Sequence, residues 1–136
     1  PQIEIYSAGA VITALESGQV AVLAGGTGNP YFTTDTTAAL RALEINASTL
    51  VKATNVDGIY NSDPAKDSTA SRYQEIDYDT VMVKDLKIMD SAAFALCRSN
   101  NMPIRVVNLN TRGNLQRVVE GEAVGTLVIK SGGKDA

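Results

Sequence analysis

The chain has 136 residues, 44% of them hydrophobic and 20% charged, as is typical of one globular domain that buries its own core. Its net charge of −3 and its pI near 4.8 exclude a broad nucleic-acid-binding face. Because no apolar run approaches the roughly 20 residues of a membrane span and no signal peptide is recognisable, we expect a cytoplasmic protein with no membrane partner.

The first half of the chain is predicted to contain two helices and two strands. Apolar residues recur at helical spacing from Ile5 to Leu15, and this helix ends near Gly18. The next elements are a buried strand over Val20–Ala24, a helix over Thr36–Leu43 and a second buried strand over Ser48–Ala53. A helix between two such strands is typical of a right-handed βαβ unit with parallel strands.

The second half is predicted to contain shorter elements separated by turns. Asp57-Gly58 is a turn dipeptide, and residues 61–71 are rich enough in Asn, Asp, Ser and Pro to form a loop. Helices follow at Tyr78–Val83, Ser91–Ser99 and around Leu115–Val119, and strands at Ile104–Leu109 and Gly125–Lys130. This alternation predicts an α/β fold with a mainly parallel sheet. Residues 1–130 are predicted to form one domain and residues 131–136 a polar tail.

The cysteine and histidine content of the sequence limits the kinds of catalysis that it can support. Cys97 is the single cysteine, so no internal disulfide can form, and its apolar neighbours favour a packed thiol over a nucleophile. The sequence contains no histidine, which excludes imidazole as a catalytic base or a metal ligand.

The strongest functional signal is the run LAGGTGNPYFTTD at residues 23–35. A strand, a glycine-rich turn and a helix direct backbone N–H groups and the positive helix end towards an anion, so this run predicts a phosphate site. It is neither a Walker loop, which continues Gly-Lys-Ser/Thr, nor the dinucleotide fingerprint, which needs a third glycine in register. The alternative is an ordinary loop before a helix that is capped by Thr34 or Asp35.

Three further features carry candidate functional residues. Lys52 interrupts an apolar strand and should reach the open end of that strand, either for function or as an edge lysine. Residues 54–64 supply a turn, an aromatic ring and a carboxylate, which suit an adenine or ribose pocket and equally a surface hairpin. Asp90 precedes a predicted helix and could simply cap it. Residues 25–35 and 52–63 both follow strands, so parallel strands would bring them to one edge of the sheet.

The sequence resembles the bacterial uridylate kinases of the amino-acid kinase superfamily. The resemblance covers essentially the whole chain in one order, and its first two segments are highly specific. The matching segments are GGTGNPYFTTD at 25–35, ALRALEI at 39–45, KATNVDGIY at 52–60, DPAKD at 63–67, LKIMD at 86–90, PIRVVN at 103–108 and GEAVGT at 121–126.

The resemblance implies a three-layer αβα sandwich and the reaction UMP + ATP → UDP + ADP, with Mg²⁺ that arrives with ATP and is not held by a dedicated set of protein ligands. It implies that Lys52 lies near the transferred phosphoryl group and that Asp35 and Asp90 organise the active-site lysines and the metal-bound phosphates. The implied ATP-binding residues are Thr54, Tyr60 and Asp63. The implied UMP-binding residues are Thr27, Gly28, Asn29, Pro30, Tyr31, Phe32, Thr33 and Thr34.

The same resemblance indicates that the chain is a C-terminal portion of a kinase domain. In the family, an N-terminal half carries a lysine-containing glycine turn for the ATP phosphates, and residues 1–136 contain no such segment. We therefore expect the chain alone to have little or no activity. The alternatives are a non-catalytic nucleotide-binding or regulatory module, and a related kinase whose acceptor is a carboxylate or carbamate. The resemblance also implies a homohexamer with GTP and UTP as effectors.

Overall fold

The computed structural model describes residues 4–132 as a mixed α/β fold with five helices and four strands among them. The helices are α1 (Ala8–Glu16), α2 (Thr34–Glu44), α3 (Tyr78–Val83), α4 (Ser91–Ser99) and α5 (Asn114–Val119). The strands are β1 (Leu50–Thr54), β2 (Glu75–Asp77), β3 (Ile104–Asn108) and β4 (Thr126–Ile129). No helix within residues 4–132 has the length and apolar character to cross a membrane.

The four strands form one sheet in the order β1-β3-β4-β2. β1 pairs with β3 and β2 pairs with β4 in parallel, whereas β3 and β4 are antiparallel. The mainly parallel sheet expected from the sequence is therefore confirmed, with one antiparallel pairing at its centre. β1 lies at one end of the sheet, and its last residue, Thr54, pairs with Asn108 at the end of β3.

The core lies between the sheet and helices α2 and α4, which pack against each other and against neighbouring strands. Ala39 from α2, Ala93 and Cys97 from α4, and Ile104 from β3 are completely buried. The small alanine side chains let the two helices approach closely. Cys97 is the packed thiol that its apolar neighbours predict, and burial raises its pKa to about 11.

Most predicted helices agree with the structure, because their signals are local. The predicted helix over Ser91–Ser99 has the bounds of α4, and that over Tyr78–Val83 has the bounds of α3. α2 begins at Thr34, two residues before the predicted start, and its cap is Thr33 instead of Thr34 or Asp35. β2 was not predicted, since three residues with one buried side chain are too few to show a period of two.

The prediction of a buried strand over Val20–Ala24 is wrong. This segment is not part of a strand, and Val20 and Val22 are 90% and 88% exposed. The predicted βαβ unit is consequently absent from the described part of the chain. A strand needs a neighbour for its backbone hydrogen bonds and a surface for its side chains, and within residues 4–132 nothing pairs with this segment. Of the predicted polar tail, the structure describes Ser131 and Gly132.

Gly125 provides a first test of the fold. Its φ is +74°, and a Cβ atom there would lie 1.9 Å from the carbonyl oxygen of Val106. We expect Gly125→Ala to lower the free energy of unfolding by about 2–4 kcal/mol, because it adds both backbone strain and a clash with backbone that cannot move cheaply. Urea denaturation followed by circular dichroism measures this loss.

Gly121 is the matched control, since its φ is +87° but a Cβ atom there would meet nothing within 4 Å. Gly121→Ala should cost only the strain of the left-handed backbone, about 1 kcal/mol. Equal losses for the two variants would contradict a special role for the contact between Gly125 and Val106.

Candidate functional site

The glycine-rich run forms an exposed loop that leads directly into α2. Gly25, Gly26 and Gly28 have φ values of +88°, +71° and +78°, a region that other residues rarely adopt. The backbone N–H of Asn29 donates to the hydroxyl of Thr27 at 3.1 Å, which tightens the turn. We call residues 25–34 the acceptor loop.

The acceptor loop ends at the N-terminus of α2, where the Thr33 hydroxyl accepts a hydrogen bond from the backbone N–H of Thr36 at 3.2 Å. This cap uses one of the free N–H groups of the first turn. Thr34 and Asp35 are the first two helical residues, so their N–H groups have no partner within the helix. Within residues 4–132, the hydroxyl of Thr34 makes no side-chain hydrogen bond. The first turn of this eleven-residue helix therefore carries both free N–H groups and the hydroxyl of Thr34.

The residues predicted to bind UMP fall into two groups, one that lines a cavity and one that does not. Phe32, Thr33 and Thr34 line a cavity of about 610 Å³ together with Gly25 and Gly26. Thr27, Gly28, Asn29, Pro30 and Tyr31 lie on the loop outside this cavity. Tyr31 has a fully exposed ring and a φ of +69°. The loop therefore presents one group of residues to the cavity and another to its outer side.

Lys52 and Asp35 form an ion pair that connects the first turn of α2 to β1 of the sheet. The Nζ atom of Lys52 donates to Oδ1 of Asp35, and the two side chains are 29% and 20% exposed. Lys52 lies in the middle of β1, where an unpaired charge would be costly. The structure therefore brings together two predicted catalytic residues that are 17 positions apart in the sequence.

Asp90 is the N-cap of α4 and also contacts α2. Its Oδ1 atom accepts from the backbone N–H of Ala93 at 2.9 Å, and its Oδ2 atom accepts from the Thr33 hydroxyl. The Thr36 hydroxyl lies 3.2 and 3.1 Å from the two carboxylate oxygens. Burial by itself would raise the pKa of Asp90, but the hydrogen bonds from Thr33, Ala93 and Thr36 outweigh it, so the pKa is lowered.

The predicted ATP-binding residues share one wide groove, which we call the nucleotide groove. Thr54, Tyr60 and Asp63 line it, and its volume is about 1040 Å³. Thr54 ends β1, two residues after Lys52, so the groove opens at the carboxyl end of that strand. This is the position at which open α/β sheets bind their ligands.

Residues 57–73 fold back on themselves as a hairpin, and its first part, residues 57–66, contributes to one wall of the nucleotide groove. Tyr60 makes an isolated bridge with Arg72, and the Tyr60 hydroxyl donates to the carboxylate of Asp57 at 2.9 and 3.1 Å. This hydrogen bond, followed by burial, raises the pKa of Tyr60. Arg72 donates to the carbonyl oxygen of Asp57 at 3.0 Å. The position of Tyr60 is therefore fixed by its backbone bridge to Arg72 and by the hydrogen bond of its hydroxyl to Asp57. The raised pKa means that the hydroxyl keeps its proton at neutral pH.

Sequence reasoning missed several residues of the groove. Asn55 and Asp57 lay within the predicted segment but were not singled out. Asn108 ends β3 beside Thr54, and the strand register could have indicated it. Residues 85–88 also line the groove, although they are distant in sequence and follow no predicted strand. Residues 86–88 belong to the matching segment LKIMD, but only Asp90 of that segment was assigned to the site.

Thr126 joins the two sides of the hairpin through its hydroxyl, and a substitution at this residue tests that role. It is completely buried, and its hydroxyl accepts from the N–H of Ile59 at 2.9 Å and donates to the carbonyl of Tyr73 at 2.6 Å. We expect Thr126→Val to lower the free energy of unfolding by about 1–3 kcal/mol, because it leaves a buried N–H without a partner. Urea denaturation measures the loss.

Thr126→Ser is the control, because it keeps the hydroxyl and removes only a methyl group. Amide hydrogen exchange at Ile59 should be accelerated by Thr126→Val and stay slow in Thr126→Ser. Unchanged exchange in the valine variant would show that the hydroxyl does not hold the hairpin.

The lowered pKa of Asp90 gives a pH-dependent prediction. A carboxyl whose pKa is lower in the folded than in the unfolded state, where it is about 3.9, stabilises the fold above that value. The stabilisation is lost as the pH falls through the folded-state pKa. Hence the difference in unfolding free energy between the wild type and Asp90→Asn should shrink from pH 7 to pH 2 in urea titrations. A difference that is independent of pH would contradict this account.

The sequence of the chain matches a known protein family. The sequence model of the amino acid kinase family matches residues 1–108. The uridylate kinases of Bacteroides thetaiotaomicron and Parabacteroides distasonis are 48% and 49% identical over 125 residues, which are 92% of this chain and 53% of each relative. The chain thus spans about half the length of the curated relatives it matches.

Solved structures agree with this assignment. The crystal structure of UMP kinase from Bacillus anthracis has a TM-score of 0.88 and 34% identity, and the match covers 94% of this chain and 53% of that one. The UMP kinase from Ureaplasma parvum has a TM-score of 0.84 and 38% identity over 92% of this chain and 54% of that one. The fold class expected from the sequence is confirmed, and the chain belongs to the amino acid kinase family.

Proposed function

We propose that this chain is the part of a uridylate kinase that carries the acceptor loop and the nucleotide groove, and that the whole enzyme transfers the γ-phosphoryl group of ATP to UMP. The observation that carries the proposal is the ion pair between Lys52 and Asp35. It connects the N-terminus of α2, which suits an acceptor phosphate, to the strand that ends in the nucleotide groove. The similarity to uridylate kinases over 92% of the chain supports the choice of substrate class.

On the acceptor side, the proposed ligand is the phosphate of UMP at the start of α2. The N–H groups of Thr34 and Asp35 and the Thr34 hydroxyl would donate to its oxygens, and the helix dipole would favour its charge. The acidic side chain of Asp35 would repel a phosphate if it were unpaired, but Lys52 neutralises it. The cavity beside Phe32 provides an apolar surface for the nucleoside.

On the donor side, the nucleotide groove would hold the adenosine of ATP. Thr54 and Asp63 offer polar groups for the ribose and base, and Tyr60 offers a ring that the hairpin holds in place. Lys52 precedes Thr54 by two residues in β1 and pairs with Asp35 of α2, and it would offset charge on the transferred phosphoryl group. Phosphoryl transfer depends on such placement and charge neutralisation more than on a covalent intermediate, so the lack of histidine is no obstacle.

The carboxylates of the candidate site are compatible with the proposed Mg²⁺, which would bind with ATP. Within residues 4–132 no cluster of three Asp, Glu, Cys or His side chains could form a dedicated metal site. Asp35 uses only Oδ1 for Lys52, whereas both oxygens of Asp90 accept hydrogen bonds. Asp35 is therefore the carboxylate that would contact the metal, and Mg²⁺ would supply charge neutralisation at the phosphates.

The activity of the whole enzyme requires the half of the relatives that this chain does not cover. The described residues supply the acceptor loop and the walls of the nucleotide groove, but the lysine-containing glycine turn expected for the ATP phosphates would lie in that other half. The cytoplasmic location, the homohexamer and the response to GTP and UTP remain proposals that rest on the family resemblance.

The proposal is tested by restoring the other half. The uncovered portion of the Bacteroides thetaiotaomicron kinase is fused before Pro1. The release of ADP from ATP is then measured with UMP, CMP and glutamate as acceptors, and the phosphorylated acceptor is identified in each case. We expect UDP formation by the fusion and little or none by the 136-residue chain. A fusion that phosphorylates glutamate or CMP better than UMP would refute the acceptor. Tight nucleotide binding by the chain alone, with an inactive fusion, would favour a regulatory module.

In the same fusion, Lys52→Met should reduce kcat for UMP by about 100-fold or more, because a positive group at the transferred phosphoryl is removed. Lys130→Met removes one exposed positive charge outside both cavities and serves as the control for net charge. Similar kcat values for the two variants would remove Lys52 from the proposed mechanism.

A further inference from the structure

Thr36 is a buried residue of the candidate site that the sequence did not single out. It occupies the third position of α2, is 6% exposed, and directs its hydroxyl at both oxygens of Asp90 from 3.2 and 3.1 Å. A threonine within a helix commonly donates back to the carbonyl four residues earlier, as the next residue, Thr37, does to Thr33 at 3.0 Å. The hydroxyl of Thr36 instead leaves its own helix and crosses to the cap of α4.

The three side chains Thr33, Thr36 and Asp90, which we call the Asp90 clamp, join the N-termini of two helices. Thr33 caps α2, and its hydroxyl also donates to Asp90. Asp90 caps α4 through the N–H of Ala93. Each helix cap is therefore a hydrogen-bonding partner of the other, over a sequence separation of 57 residues between Thr33 and Asp90.

The position of the clamp relates it to both proposed substrates. On one side, Thr33 is directly followed by Thr34, whose hydroxyl and N–H belong to the proposed phosphate site. On the other side, Asp90 follows residues 85–88, which form one wall of the nucleotide groove. The clamp is thus a short polar connection between the acceptor loop and residues 85–88 of the nucleotide groove.

We propose that Thr36 is a positioning residue, which holds the Asp90 carboxylate against Thr33 and thereby fixes the separation between the acceptor loop and the wall of the nucleotide groove. This inference rests on the proposed function. Two hydroxyl donors and one backbone donor occupy the carboxylate, so its orientation is fixed by the protein. Without the Thr36 hydroxyl, Asp90 still caps α4 through the N–H of Ala93, but it keeps only the Thr33 hydroxyl as a partner at the start of α2.

The test uses the fusion that contains both halves of the site. Thr36→Val keeps the size and branching of the side chain but removes the hydroxyl. We expect it to lower kcat with UMP by about 10- to 100-fold, as a small misplacement of the reacting groups does, and to leave KM for ATP within about twofold. Thr36→Ser, which restores a hydroxyl, should recover most of the kcat.

Thr80→Val is the matched control. Thr80 has the same helix position in α3, where its hydroxyl donates to the capping carboxylate of Asp77 at 2.7 Å, but it lies outside both cavities. This variant should lose stability without a change in kcat. If Thr36→Val and Thr80→Val lose stability alike and both keep kcat, Thr36 has only a structural role and the inference is overturned.

A double-mutant cycle tests the contact itself without nucleotide. Thr36→Val, Asp90→Asn and the double variant are compared in urea, and the coupling should change the folding equilibrium constant by about fivefold or more. Additive effects would overturn the inference even if the fusion is active. A wild-type fusion that forms no UDP refutes the proposed function instead, and then the clamp has no role in transfer.

Discussion

The packing of α2 against α4 is the constraint on which the candidate site depends. The two helices meet through small buried side chains, Ala39 and Ala93 among them, so their N-termini come close together. Helix N-termini carry free N–H groups and partial positive charge. The Asp90 carboxylate accepts the N–H of Ala93 in α4 and the hydroxyls of Thr33 and Thr36 at the start of α2. The first residues of α2 are thereby held beside β1, where Lys52 meets Asp35. A change in the angle between the helices would therefore displace the acceptor loop and the groove wall together.

Much of the fold and part of the site could be predicted from the sequence. α3 and α4 were located correctly because periodicity and capping residues are local signals. The position of Lys52 in an apolar strand indicated that it needs a partner, and the family resemblance implied that Asp35 organises the active-site lysines. The structure shows that these two residues form an ion pair. Thr36 could not be recognised at all, since its importance arises from a contact with a residue 54 positions away.

The wrong prediction has a different cause. Val20–Ala24 has the composition of a buried strand, but composition reports only that a segment can be buried. Whether it is buried depends on a neighbouring strand and a covering surface, and these are properties of the assembled sheet. The segment is therefore the place where sequence and described structure disagree most, in a chain about half as long as its curated relatives.

This exposed segment has a consequence for handling the chain. Ala21 and Leu23 line the same cavity as Ala47 and Thr49, the residues that lead into β1, and β1 ends the sheet among the described strands. An uncovered strand edge beside exposed valines is a template on which further chains add by intermolecular strand pairing. We therefore expect self-association of the chain to increase with its concentration and to decrease when a polypeptide that covers this edge is produced with it.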